Sequence, residues 1–268
     1  MTVGDFDDAL RIQDSEGSLT WSVPDGWQQG RGAWGGLVVA ACVTAVQMRE
    51  SASRPVRAVT VQMAGPVMVG DQRIVVTEVR RGSAMTTWNV DIIDDRGAAA
   101  VHASVICGAP RDMDVDRTSE WGCARMGDAP PWSAVPEIPV EPPMGPVFGP
   151  HVVFRPLVGR PGSAEEARTR GWVAYADGKP WSPARVLGLI DAWWPGALVA
   201  SDRMRPLATV MFAATLLVDP GQLDVGQPLY YEGELTAGAD GFTSELRRLW
   251  SPDGRLVVEN LQSIVVIA

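Results

Sequence analysis

The chain carries the same punctuation twice. Val69-Gly70-Asp71 is followed, 27 residues after its glycine, by Gly97 in Asp95-Arg96-Gly97. Val225-Gly226-Gln227 is followed, 28 residues after its glycine, by Gly254 in Asp253-Gly254-Arg255. Each interval holds two strand-like runs, and a third run follows it. A helix-like apolar stretch precedes each copy, Trp34–Arg49 in the first and Pro183–Trp194 in the second. This restricts the fold to two copies of one helix-plus-sheet unit. Only the second copy adds Asp191 in its helix, Thr209 in a strand and Gln262 in the last strand. One polar cluster on a duplicated unit is how a single active site can arise between two halves.

Local patterns fill in the units. Ser18–Val23 reads as a strand ahead of a Pro24-Asp25-Gly26 turn. A helix is expected from Trp34 to about Ala52, with Leu37, Val38, Ala41, Ala45 and Met48 in a stripe at three- and four-residue spacing. Arg57–Met63, Arg73–Arg80, Met85–Ile93 and Ala98–Cys107 are β-rich and divided by Gly and Asp turns. Residues 111–150 break the pattern: Pro130 to Pro150 holds eight prolines, which predicts an extended linker. Beyond it, Gly171–Ala176 reads as a strand, Ser182-Pro183 as N-cap and first helical position, and Ala184–Trp194 as a helix stopped by Pro195-Gly196. Ala208–Val218, Leu229–Ala237, Thr243–Trp250 and Leu256–Ile267 complete the strands. The expected class is α+β: an N-terminal unit over 1–110, a linker over 111–150 and a C-terminal unit over 151–268.

Composition narrows the function classes. A hydrophobic share of 46% over 268 residues supports a sizeable core. No apolar run reaches the roughly 18 residues needed to span a bilayer. The acidic start Met1-Thr2-Val3-Gly4-Asp5 lacks the pattern of a signal peptide, so a cytoplasmic location without membrane insertion is expected. A net charge of −9 argues against nucleic acid as the main partner. Cys42, Cys107 and Cys123 are too few and too scattered for a disulfide frame or a zinc site, and neither metal nor cofactor is expected.

The familiar catalytic signatures are missing: no nucleophile elbow, no P-loop, no dinucleotide glycine fingerprint and no zinc-protease helix motif. His102, within an apolar strand, and Cys42, within the first helix, read as structural. Asp191 sits among Val186, Leu187, Leu189, Ile190, Ala192 and Trp193. It is either a buried acid that needs partners or an exposed residue beside Arg185 and Gly188. Strand alternation puts Gln262 on one face with Leu256, Val258, Asn260, Ile264 and Val266, where an amide needs hydrogen-bond partners. Thr209 alone reads as an ordinary strand threonine. Gly35 and Gly36 open the first helix and suit either a close approach to a ligand or close packing.

The pattern Trp34-Gly35-Gly36 with Ala40-Ala41, after the Gly30-Arg31-Gly32 turn, resembles the first helix of the fused double-hotdog acyl-CoA thioesterases. The later order Leu189-Ile190-Asp191-Ala192-Trp193-Trp194-Pro195, then Leu207-Ala208-Thr209-Val210, then Asp253-Gly254-Arg255-Leu256 and Leu261-Gln262-Ser263 resembles the same family. The likeness covers roughly residues 30–110 and 150–268. It implies a tandem hotdog, each unit an antiparallel sheet wrapped around one long helix, and hydrolysis of an acyl-CoA to free acid and CoA. It places the hydrolytic trio on Asp191, Thr209 and Gln262, and a homodimer or larger homo-oligomer is expected with it. With no Ser or Cys nucleophile beside a base, direct attack of water activated by the trio is the economical mechanism, and the amides of Gly35 and Gly36, beside Trp34, are the candidate oxyanion donors. The strand Ala58-Val59-Thr60-Val61-Gln62 departs from the family, which often carries histidine and serine there. The alternatives are a non-hydrolytic acyl-thioester binder and an enoyl-thioester hydratase. The second is disfavoured because neither expected helix contains histidine.

Overall fold

The computed structural model describes residues 5–113 and 129–267. Cys123, residues 1–4 and part of the expected linker lie outside them.

The repeat becomes one continuous sheet. Fourteen strands are present among the described residues: β1 (Ile12–Ser15), β2 (Ser18–Val23), β3 (Gln28–Gln29), β4 (Gly32–Ala33), β5 (Val56–Met63), β6 (Gly70–Arg81), β7 (Met85–Ile93), β8 (Ala99–Gly108), β9 (Val152–Val158), β10 (Arg168–Tyr175), β11 (Leu207–Leu216), β12 (Leu229–Ala239), β13 (Phe242–Trp250) and β14 (Leu256–Val266). Twelve form a sheet in the order β1-β2-β6-β7-β8-β5-β11-β14-β13-β12-β10-β9, antiparallel throughout, and β3 and β4 make a separate hairpin. The order reads the same outward from the centre, β5-β8-β7-β6-β2-β1 on one side and β11-β14-β13-β12-β10-β9 on the other. Each glycine of the repeated punctuation, Gly70, Gly97, Gly226 and Gly254, has a positive φ, the turn conformation that favours glycine. The halves meet where β5 pairs with β11, Thr60 opposite Ala213.

Two central helices lie against this sheet. The first is α2 (Gly35–Gln47), preceded by a short α1 (Phe6–Ala9). It is apolar nearly all round and buried from Gly36 to Val43, as a helix enclosed by a curved sheet must be. It ends before the expected Ala52, where Arg49 N–H turns back to Val46 O. The second is α3 (Pro183–Leu189), with Ser182 Oγ accepting from Arg185 N–H and Pro183 in its first turn, as the sequence predicts. It is shorter than the expected Ala184–Trp194. After Ile190 the ladder tightens: Asp191 N–H bonds Gly188 O and Ala192 N–H bonds Leu189 O, and Pro195 then ends the turn. A fourth short helix, α4 (Gly196–Ala200), follows.

The helices touch at glycines. A Cβ on Gly36 would stand 2.4 Å from Gly188 O, and one on Gly188 would stand 3.0 Å from Gly36 O. The proline-rich segment also packs rather than only spanning. Ile138 bridges to Phe154, and Phe148 is fully buried with its ring stacked on Trp34 at 4.4 Å. His102, read from the sequence as structural, pairs with a carboxylate on the outer face of the sheet. Alternation turns it to the outer face of β8, where it is largely exposed and its Nδ1 lies 2.6 Å from Asp91 Oδ1. Its neighbours Val101 and Ala103 are the apolar residues that face inward.

Candidate active site

The structure brings all three predicted polar residues together and joins them in a line. Gln262 Nε2 donates to Asp191 Oδ1 at 2.8 Å, and Thr209 Oγ1 donates to Gln262 Oε1 at 3.1 Å. Asp191 is 7% exposed, which decides between its two sequence readings: it is a buried acid with partners. Arg185 does not face it; that guanidinium is bound to Asp177 and Asp7 and lies over the Tyr175 ring.

Each side chain is aimed by a local feature. Asp191 lies in the tightened turn beyond α3 and so points back toward the other half. Gln262 lies on the inward face of β14, between the buried Asn260 and Ile264. Thr209 owes its direction to a β-bulge. Phe212, Ala214 and Leu216 face inward, so strict alternation would turn Val210 inward and Thr209 out. The register slips by one between Thr209, opposite Ile264, and Met211, opposite Ser263, which reverses the alternation and turns Thr209 toward Gln262.

The opposite wall is the start of α2. A Cβ on Gly35 would meet Asp191 Oδ2 at 2.8 Å and the Met63 methyl at 3.3 Å, so no larger residue fits between helix and acid. The N-cap residue, Trp34, makes no side-chain capping bond, and the Gly36 N–H is turned to the Asp191 carboxylate. Trp34, the N-cap residue, is fully buried between Phe148 and Trp27. Its indole N–H makes no full hydrogen bond but faces the Asp191 carboxylate and helps to lower it. Of the glycine pair, Gly35 flanks the acid, while Gly36 serves the close helix crossing and also turns its N–H to the Asp191 carboxylate.

Electrostatics at Asp191 are a contest. Burial pushes its carboxyl above the ordinary range; the Arg247 guanidinium, the Gln262 amide, the Gly36 N–H and the Trp34 indole dipole each pull it back. Arg247 Nη1 stands 3.8 Å from Asp191 Oδ1. Sequence reasoning did not single out Arg247, Glu245, Met63 or Phe148. A signal was present for the first two, since alternation in β13 puts Glu245 and Arg247 on one face with Leu249. Cys42 is buried with its thiol pushed up to about 12, consistent with a packing role. Among the described residues no cluster of His, Cys, Asp or Glu has the arrangement of a metal site.

A continuous antiparallel sheet around two helices that meet at their glycines defines a double hotdog. Residues 23–108 match the N-terminal domain of acyl-CoA thioesterases and residues 113–266 the C-terminal domain. The chain belongs to the acyl-CoA thioesterase family, hydrolases that act on thioester bonds. Three solved structures share its fold. A hotdog protein of unknown function from Alicyclobacillus acidocaldarius is 22% identical, with a TM-score of 0.88 and 98% of both chains covered. A candidate thioesterase II from Thermobifida fusca is 19% identical, with a TM-score of 0.80, covering 100% of this chain and 99% of its own. An acyl-CoA thioesterase II from Mycobacterium marinum is 13% identical, with a TM-score of 0.77 and 98% of both chains covered. Among curated proteins none matches the sequence.

Proposed function

We propose that the protein hydrolyses acyl-CoA thioesters by direct attack of water, with Asp191 as general base and Thr209 and Gln262 as its positioning partners. The observation that carries this reading is the line Thr209–Gln262–Asp191 set against the start of α2. Both ends of the Gln262 amide are committed, so it fixes the carboxylate and leaves Oδ2, on the Gly35 side, to take a proton from water. Thr209 Oγ keeps lone pairs to hold that water in line.

As water adds to the carbonyl carbon, its proton passes to Asp191. The carbonyl oxygen becomes an oxyanion, met by the Gly35 amide and the Trp34 indole N–H at the positive end of α2. The C–S bond then breaks, and the departing thiolate takes the proton from Asp191. The first half has no matching base. Nine residues past its N-cap, Ser182, the second copy has Asp191; nine past Trp34 the first has Val43, which is fully buried. Release of free thiol from a series of acyl-CoAs tests the reading; thioester binding without release from any of them would make the protein a non-hydrolytic binder.

The same reading makes the protein a cytoplasmic homodimer or larger homo-oligomer. No helix among the described residues is long and apolar enough to cross a membrane. Among the described residues the sheet ends at β1 and at β9, whose outer edge Ile138 bridges at Phe154; a free edge such as β1 commonly pairs across symmetric contacts. Light scattering at micromolar concentration is expected to give at least twice the chain mass of 28.8 kDa, and a monomer would contradict it.

A further inference from the structure

A second, wholly buried charge group lies directly behind the proposed base. Arg247 and Glu245 both point inward from β13, 1% and 0% exposed. Arg247 Nε donates to Glu245 Oε1 at 2.8 Å, and Glu245 Oε2 accepts from Gly196 N–H at 2.7 Å at the start of α4. Arg247 Nη1 reaches back to Ile190 O at 3.5 Å, in the turn that carries Asp191, and stands 3.8 Å from the Asp191 carboxylate. Glu245 lies opposite Gln262 in the β13–β14 register, so the pair is fixed to the strand that holds the Asp191 partner.

Charge burial on this scale is costly unless it serves a purpose. Removing an ion pair for apolar residues would often stabilise a core, yet here two buried carboxylates share one buried guanidinium. Glu245 holds Arg247 through its Nε edge, and the guanidinium is thereby presented to Asp191 and the Ile190 carbonyl. From this geometry we propose that Arg247, held by Glu245, is a positioning residue for thioester hydrolysis: it keeps Asp191 ionised and holds the Ile190–Asp191 turn in place. The proposal rests on Asp191 being the general base.

The sign follows from the charges. Burial raises the Asp191 carboxyl, and the Arg247 cation is foremost among the groups that lower it. The other titratable groups around this cluster are Tyr231 on β12 and Tyr175 on β10, each held neutral by burial. From β14, β11 and α2 the neighbours are Gln262, Thr209, Gly36 and Trp34, none of which titrates in the working range. The ionised carboxylate is the active form, so activity is full above its pKa and falls as the pH drops through it. Without the cation that acid limb moves to higher pH.

The test is the pH profile of kcat/KM for thiol release from an acyl-CoA. Arg247→Gln alone leaves Glu245 buried and unpaired and can unfold, so the informative variant is Arg247→Gln with Glu245→Gln, its fold checked by circular dichroism. Its acid limb is expected to move to higher pH, because the lost cation stands against Asp191 and the lost anion behind that cation, and the shift reads as a loss on the acid side with recovery toward alkaline pH. Arg247→Lys, which keeps the charge, should return the limb to near its original position. An unshifted limb in the folded double variant, or an equal loss at every pH, would overturn the proposal. Asp191→Asn separates this failure from that of the functional reading. If that variant is inactive while the limb stays put, only the role of Arg247 falls; if it is fully active, both readings fall.

Discussion

Turnover in a folded Asp191→Asn variant is expected to drop by about 10²- to 10⁴-fold, the usual worth of a general base. The amide matches the acid in shape and its oxygen can still accept from Gln262 Nε2, so the line to Thr209 survives while the proton acceptor is gone. KM should change little, because nothing that would touch the acyl chain has moved. Stability should hold or rise. Burial holds the Asp191 carboxyl above its ordinary range, so its ionised form at neutral pH costs the fold free energy that a neutral amide does not. Thermal unfolding together with thiol release measures both halves of this expectation. Near-normal turnover in the folded variant would remove Asp191 from the mechanism.

The largest expected loss of stability comes from Gly36→Ala. The added Cβ would stand 2.4 Å from Gly188 O and 2.3 Å from the Trp34 ring. The carbonyl belongs to the backbone of α3, and the ring is stacked on Phe148, so neither can yield without parting the two helices. Overpacking of this kind costs about 1–3 kcal/mol, a fall in Tm of roughly 2–12 °C for a chain of this size. Gly108→Ala is the control, since its Cβ would find ordinary contacts at 3.6 Å or more. An unchanged Tm for Gly36→Ala would mean that the helices are not in contact at Gly36.

The parts of this fold legible in the sequence were those written in punctuation. The repeated glycine turns foretell the mirrored strand order, and Ser182-Pro183 marks the start of α3 because cap and first helical position have their own chemistry. Its end was not legible. Asp191-Ala192-Trp193-Trp194 continues the apolar pattern, and only the tertiary structure shows the ladder tightening after Ile190. Likewise nothing in Ala208-Thr209-Val210-Met211 announces a bulge, yet the bulge is what turns Thr209 toward Gln262. The Thr209–Gln262–Asp191 line therefore needed the family resemblance to be named and the coordinates to be seen as connected. Prolines around Phe148 hid a core residue, since composition reports backbone stiffness and says little about what a single aromatic ring will find to stack on.

The proposed mechanism has one hydrolytic site per chain, built on Asp191, with Val43, Val59, Val61 and Val105 buried at the matching places of the first half. The direct measurement is initial thiol release from one acyl-CoA by the native chain and by a folded Asp191→Ala variant at equal concentration. Release by the native chain and a residual rate of about 1% or less in the variant are expected. A variant that keeps about half of the native rate would reveal a second competent site and overturn the single-site mechanism.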